Sequence, residues 1–218
     1  MRFFHSLAVL TLAAIPVPAL AANDDNAEFW INPSLTVEID DRTSIEIETA
    51  QRLRDADDDG VDTYFGRLWI NRKLDDQFTL SAAIGRRIND GDADETRTHQ
   101  QITYRNGILR GRVRIEQRFI DDVKRTGVRL RTRAGVSLPL DSVGNWTGFA
   151  DVEPFWTLRS TSLGGQDGLT GLRTQVGVRH QVTDNLEVGL AYVRQQDVRR
   201  DAEDRTGHAP LISLELAL

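Results

Sequence analysis

The chain has 218 residues, 33 acidic against 27 basic side chains, a net charge of −6 and no cysteine. The acidic balance argues against nucleic acid as a partner, and the missing thiols exclude disulfides, thiolate metal centres and lipid attachment at cysteine. Arginine outnumbers lysine 25 to 2, which stems either from a biased genome or from many paired, partly desolvated sites, where the planar guanidinium fork suits better than an ammonium.

Residues 1–22 read as a secretory signal peptide: Arg2, an apolar run over 3–20, and a small-residue cleavage site at Ala19-Leu20-Ala21. The run is short and broken by Pro16 and Pro18, which argues against a membrane anchor. Residues 23–218 then form one domain. No later stretch approaches the ~20 apolar residues of a spanning helix, so a membrane role would require a closed barrel of strands.

From residue 29 onward the chain alternates apolar and polar side chains, the period of a strand with one apolar and one polar wall. The first segment, 29–39, puts Leu35, Val37 and Ile39 on one parity and Glu38 on the other. After a tight turn, 43–54 sets Ile45 and Ile47 against Glu46 and Glu48, and an acidic loop over 55–60 comes next. Segment 61–74 carries Tyr64, Leu68 and Ile70; 77–87 carries Phe78, Leu80, Ala82 and Ile84; 89–95 is a second acidic loop. Segment 96–105 sets Ile102 and Tyr104 against Arg97, His99, Gln101, Thr103 and Arg105, and Asn106-Gly107 is a strong hairpin signal. Then comes an arginine ladder. Val113, Ile115 and Phe119 alternate with Arg112, Arg114, Glu116 and Arg118, and Val128, Leu130, Ala134, Val136 and Leu138 with Arg129, Arg131 and Arg133. Segment 146–158 opposes Ala150, Val152 and Trp156 to Asp151 and Glu153, and 169–182 opposes Leu172, Val176 and Val178 to Arg173, Gln175 and Arg179. Leu186, Val188, Leu190 and Tyr192 form the next stripe beside Glu187, and 211–218 sets Ile212, Leu214 and Leu216 against Ser213 and Glu215.

Turns alternate between short and long, and strands run to about ten residues, as in an outer-membrane barrel with short periplasmic turns and longer external loops. The fold class expected is therefore all-β, an antiparallel up-and-down transmembrane barrel. A soluble periplasmic β-sandwich or barrel that binds a ligand is the alternative, since it alternates too. Eleven segments are visible, whereas single-chain bacterial barrels carry even numbers; twelve strands are expected, with ten as the alternative. Pro33 weakens the first segment, and a bulge at Pro154 would reverse the facing of the residues beyond Glu153. Trp30, Trp69, Trp146, Trp156, Tyr64, Tyr104 and Tyr192 are candidates for interfacial girdles.

The pattern resembles an uncharacterised family of Gram-negative envelope barrels, domain of unknown function 2490. The resemblance rests on Phe29-Trp30, the Glu48…Arg52 pair, Phe65-Gly66-Arg67-Leu68, His99-Gln100-Gln101, the Arg112–Arg114–Glu116–Arg118 alternation and Asp151-Val152-Glu153. It implies an outer-membrane barrel, with outer-membrane lipid, lipopolysaccharide and the barrel-assembly machinery as partners. It implies no activity.

In such a barrel the charged parity faces the lumen. Arg97, Arg105, Arg112, Arg114, Arg118, Arg129, Arg131, Arg133, Arg173 and Arg179 would form a basic wall. Glu38, Glu46, Glu48, Glu187 and Glu215, near the two chain ends, would form an acidic wall, with Glu116, Asp151 and Glu153 within or beside the basic sector. The lumen is then either a narrow pore for small polar or anionic solutes or a barrel plugged by its own ion pairs. Asp55, Asp57 and Asp59 before Gly60 match the first half of a calcium loop, but position twelve is Gly66 where a closing glutamate belongs; a solvated acidic loop is the simpler reading. No cofactor is indicated. His99, His180 and His208 offer no evident nucleophile partner, Ser81 and Thr103 being the nearest lumen hydroxyls to His99, so no enzyme and no catalytic residues are expected, and an outer-membrane hydrolase is the alternative. The barrel is expected to be a monomer.

Overall fold

The computed structural model describes residues 24–54 and 62–218. The expected leader, 1–22, and the acidic loop with Asp55, Asp57 and Asp59 lie outside the described residues.

The alternating segments become strands: β1 (Asp24–Asp40), β2 (Thr43–Arg54), β3 (Thr63–Lys73), β4 (Phe78–Asn89), β5 (Glu95–Asn106), β6 (Leu109–Ile120), β7 (Gly127–Pro139), β8 (Trp146–Arg159), β9 (Gly168–Thr183), β10 (Leu186–Asp197) and β11 (Arg205–Ala217). Each pairs with its sequence neighbours in antiparallel fashion, and β1 closes the barrel on β11. The strand count corrects the expectation of twelve, or ten. Among the described residues there are eleven, and an odd up-and-down order leaves the first and last strands pointing the same way. The seam is accordingly parallel, from Asp24↔Arg205 to Thr36↔Ala217. A parallel ladder bonds both strands in evenly spaced, slanted hydrogen bonds, so it closes the barrel as completely as an antiparallel one.

The prolines leave local gaps without breaking strands. Pro33 faces Leu214 at the seam, while the β1–β2 ladder passes from Ile31↔Gln51 to Ser34↔Glu48. The β7–β8 ladder likewise passes from Arg131↔Phe155 to Ala134↔Val152, around Pro154, in unchanged register. A proline donates no hydrogen bond, so the gap falls at its own position. The reversal of facing does not occur: Phe155 is buried inside and Trp156 stays exposed outside.

Facing follows parity along the body of each strand and changes only near strand ends, where the ladders shift register, as between Val128 and Arg129 and between Phe155 and Trp156. The outer wall carries Ile47, Leu68, Ile70, Leu80, Ile84, Val176 and Leu190, each about half exposed, with Ile84 at 56% and Leu190 at 57%. Trp146 and Tyr104 lie outward at the short-turn end, and Tyr64 and Trp156 at the loop end. Trp30 and Trp69 are not girdle residues, which corrects the sequence reading. They share the inward parity of Asn32 and Arg67 and are buried at 2% and 3%.

Inside, β1, β10 and β11 share an apolar patch: Trp30, Ala191, Val193, Ala209 and Leu211 cluster, with Phe149 against them. Gly177 packs beside this cluster. A Cβ there would stand 2.5 Å from the Leu190 carbonyl oxygen and 2.6 Å from the Ala191 Cβ. Gly177→Val is therefore expected to lower stability by about 1–3 kcal/mol, the usual cost of forcing extra methyl groups into a filled space. A lowered urea midpoint in detergent, with unchanged slope, is the measurement.

Candidate functional site

The inward side of β3 to β9 is a network of guanidiniums around three buried glutamates. Glu95 begins β5 and accepts from Arg97 Nη2 at 2.6 Å and Arg118 Nε at 2.5 Å, with Arg87 at 3.8 Å. Glu116 on β6 accepts from Arg129 Nη2 at 2.7 Å and Arg131 Nη1 at 3.0 Å. Glu153 on β8 accepts from Arg131 Nη2 at 2.8 Å and Arg133 Nη2 at 3.0 Å, and also from Arg112; Arg173 stands 3.9 Å away. Arg131 thus joins Glu116 to Glu153. Cross-strand register explains the assembly. Glu116 lies opposite Arg129, Arg114 opposite Arg131 and Arg112 opposite Arg133, and inward side chains on adjacent and next-adjacent strands come within reach. Charge-assisted bonds of this kind hold geometry strongly.

The expectation of two facing walls is corrected here. The ladder's counter-charges stand inside its own sector, mostly one or two strands away. The carboxylates of the chain ends have other neighbours, at the short-turn end. Glu48 accepts from Arg67 at 2.6 Å and Trp69 Nε1 at 2.9 Å, Glu46 from Asn71 at 3.4 Å, and Glu187 lies 3.9 Å from Arg179. Glu38 reaches only the rim, 3.8 Å from Lys73, and Arg105 is exposed there. Glu215 faces Glu187 across the β10–β11 ladder. Asp151 stands 3.6 Å from Arg133.

Among the described residues, two adjoining cavities stand out in the lumen. One of about 350 Å³ lies toward the loop end, and one of about 620 Å³ toward the short-turn end. Arg52, Phe65, Arg97, Arg131 and Arg173 line both, so these side chains stand at the level where the two cavities meet. Arginine–aromatic contacts hold them. Arg52 lies 4.0 Å over the Trp30 ring and 4.9 Å over Phe65, Arg131 lies 4.3 Å over Phe155, and Arg173 bridges Trp30 at 4.9 Å and Phe155 at 5.2 Å.

Glu95, Arg52, Arg67, Phe65 and Phe155 were missing from the sequence-predicted site. Glu95 shares the parity of Arg97 and His99, so extending that strand by one residue finds it. Arg67 shares the parity of Phe65 and Trp69. The histidines do not converge. His99 is buried, 3.6 Å from Glu116 and with its ring 5.4 Å from Trp69, and it faces Ala83 across the β4–β5 ladder. His180 stacks on Trp146 at 4.2 Å, and His208 bonds the Tyr192 hydroxyl. Among the described residues no group of three or more His, Asp or Glu is arranged to hold a metal.

At the loop rim, outside the barrel wall, Arg86 binds Asp94 at 3.1 Å and Asp121 at 2.5 Å. The bond from Arg86 holds the Asp121 carboxyl below its ordinary value.

A family model for proteins of unknown function (DUF2490) matches residues 27–206. No curated protein and no solved structure matches the chain.

Proposed function

We propose that this chain, which belongs to the DUF2490 family of proteins of unknown function, is an outer-membrane β-barrel whose lumen is held shut by its own arginine–glutamate network. The observation that carries the membrane reading is the outer wall. Half-exposed isoleucines, leucines and valines encircle the barrel between two levels of outward tryptophan and tyrosine. Water-facing surfaces of monomeric proteins rarely present apolar area on that scale, whereas a bilayer requires it. The shortest strand, β3, has 11 residues, enough to cross a membrane at a tilt. Lipid and lipopolysaccharide would surround this wall, the assembly machinery would insert it, and the longer loops would face outward. No enzymatic role is proposed, because the histidines serve packing and rim contacts.

The closed-lumen reading rests on the side chains at the level where the two cavities meet. A second reading, a narrow anion-selective pore, is supported by one feature: the same few side chains border both cavities, each large enough to hold several waters. Two measurements separate the possibilities. The protein is expected to stay with the outer-membrane fraction through alkaline carbonate washing and to need detergent for extraction. Release into aqueous buffer would overturn the membrane reading in favour of a soluble binding protein. In planar bilayers the pure protein is expected to be silent; steady single-channel current would replace the closed lumen with the pore.

A further inference from the structure

The loop-end cavity has more positive charge than its structure uses. Among the described residues eight arginines and two carboxylates, Glu28 and Asp197, line it. The three ladder glutamates add negative charge behind that lining, which still leaves eight guanidiniums against five carboxylates. Those three glutamates are also shared with Arg112, Arg118 and Arg133, which do not line this space. The surplus is therefore concentrated where a ligand would touch it.

A second observation points the same way. The Nε atoms of Arg52, Arg87 and Arg97 are buried and donate to no acceptor, and all three arginines line this one cavity. Unmade hydrogen bonds of buried charged donors are costly, so native structures rarely keep them without a use. Arg52 goes further: it makes ring contacts with Trp30 and Phe65 but no ion pair or hydrogen bond among the described residues. The three arginines surround one ring, lying 4.9, 5.5 and 5.4 Å from the centre of Phe65. Across the cavity Arg129, Arg131 and Arg173 surround Phe155 at 5.3, 4.3 and 5.2 Å. The two aromatic rings fix two sets of guanidinium forks, and each fork suits a phosphate or carboxylate.

We propose that the loop-end cavity is a binding site for a small soluble polyanion, a molecule with two phosphate or carboxylate groups, each held by one of the two arginine clusters. The volume, about 350 Å³, suits a compact ligand. A single inorganic phosphate would engage only one cluster. The site is a property of the barrel interior and does not depend on where the protein resides.

The test is isothermal titration of the full chain in zwitterionic detergent at constant ionic strength, with inorganic pyrophosphate and citrate as probes and orthophosphate as the short control. Saturable one-to-one binding of at least one probe, ten-fold or more tighter than orthophosphate, is expected, together with a rise in Tm. Arg52→Gln and Arg87→Gln are each expected to weaken it ten-fold or more, while the Tm of the unliganded protein holds or rises because like-charge repulsion is relieved. Arg72→Gln, at the opposite rim, is expected to leave binding unchanged. Absence of binding by both probes would overturn the proposal, as would equal affinity in the wild type and the Arg52 and Arg87 variants. If one of these two variants fails to fold, the other decides.

Discussion

Glu153→Gln is expected to lower the stability of the barrel by about 3–5 kcal/mol, the usual cost of removing one partner from a buried ion pair. The substitution changes almost no volume, so it isolates charge. Glu153 is fully buried and answers to four guanidiniums, those of Arg112, Arg131, Arg133 and Arg173. Neutralising it leaves these cations close together with only Glu116 and Asp151 nearby. Glutamine can still accept a hydrogen bond, but it cannot offset their repulsion. Urea unfolding in detergent, or the temperature at which the folded band is lost on a gel, gives the number. Glu38→Gln at the exposed rim is the matched control, where solvent screens the 3.8 Å contact with Lys73 and no measurable change is expected. A loss at Glu153 no larger than at Glu38 would mean that the network is ornamental. A more instructive variant replaces Arg131 and Glu153 together by leucine. Buried ion pairs need not be net stabilising, since desolvation offsets much of their attraction. The double variant is therefore expected to be more stable than Glu153→Gln alone, even though it removes more bonds.

The same charges explain what was legible in the sequence. The period of two decided the barrel wall almost completely, because outward and inward side chains alternate along strands such as β6 and β7. It placed Arg112, Arg114, Arg129, Arg131, Glu116 and Glu153 inside. It could not say which of them meet, because that depends on register between strands, and one chain without partners carries no register. Hence the two-wall picture placed Glu116 and Glu153 within or beside the basic sector but gave the counter-charge to the carboxylates of the chain ends, whereas Glu46, Glu48 and Glu187 have other neighbours. The strand count failed for a different reason. Eleven segments were visible from alternation, and the even-number habit of bacterial barrels overrode them; a parallel seam between β1 and β11 has no local sequence signal. Trp30 and Trp69 were misplaced by residue type against parity. Each sits on the inward parity of its strand, and Trp69 Nε1 donates to Glu48. Tryptophan's preference for membrane interfaces is weaker than the pleat.

Phe65→Ala combined with Phe155→Ala is expected to turn a silent barrel into a conducting one. These rings have no polar partners of their own; their role is to hold in place the arginines where the two cavities meet. Arg52, Arg67, Arg87 and Arg97 lie around Phe65, and Arg129, Arg131 and Arg173 around Phe155. Removing both takes away the stacking surface and opens volume at the level where the cavities of about 350 and 620 Å³ meet. Core Phe→Ala changes usually cost about 3–5 kcal/mol each; the cost here should fall below that range, because both rings border open cavities that the guanidiniums and water can fill. The freed path would still be lined by arginines in excess, so the current should be anion-selective, with a reversal potential of corresponding sign in a salt gradient. Glu153→Gln placed on the same background should raise that selectivity, since it removes a central carboxylate. Planar-bilayer recording of the three proteins decides the matter. A double-alanine barrel that folds and stays silent would place the block elsewhere than the Phe65–Phe155 level. A cation-selective current would mean that the carboxylates of the short-turn end, Glu46, Glu48, Glu187 and Glu215, govern the path instead of the arginine ladder.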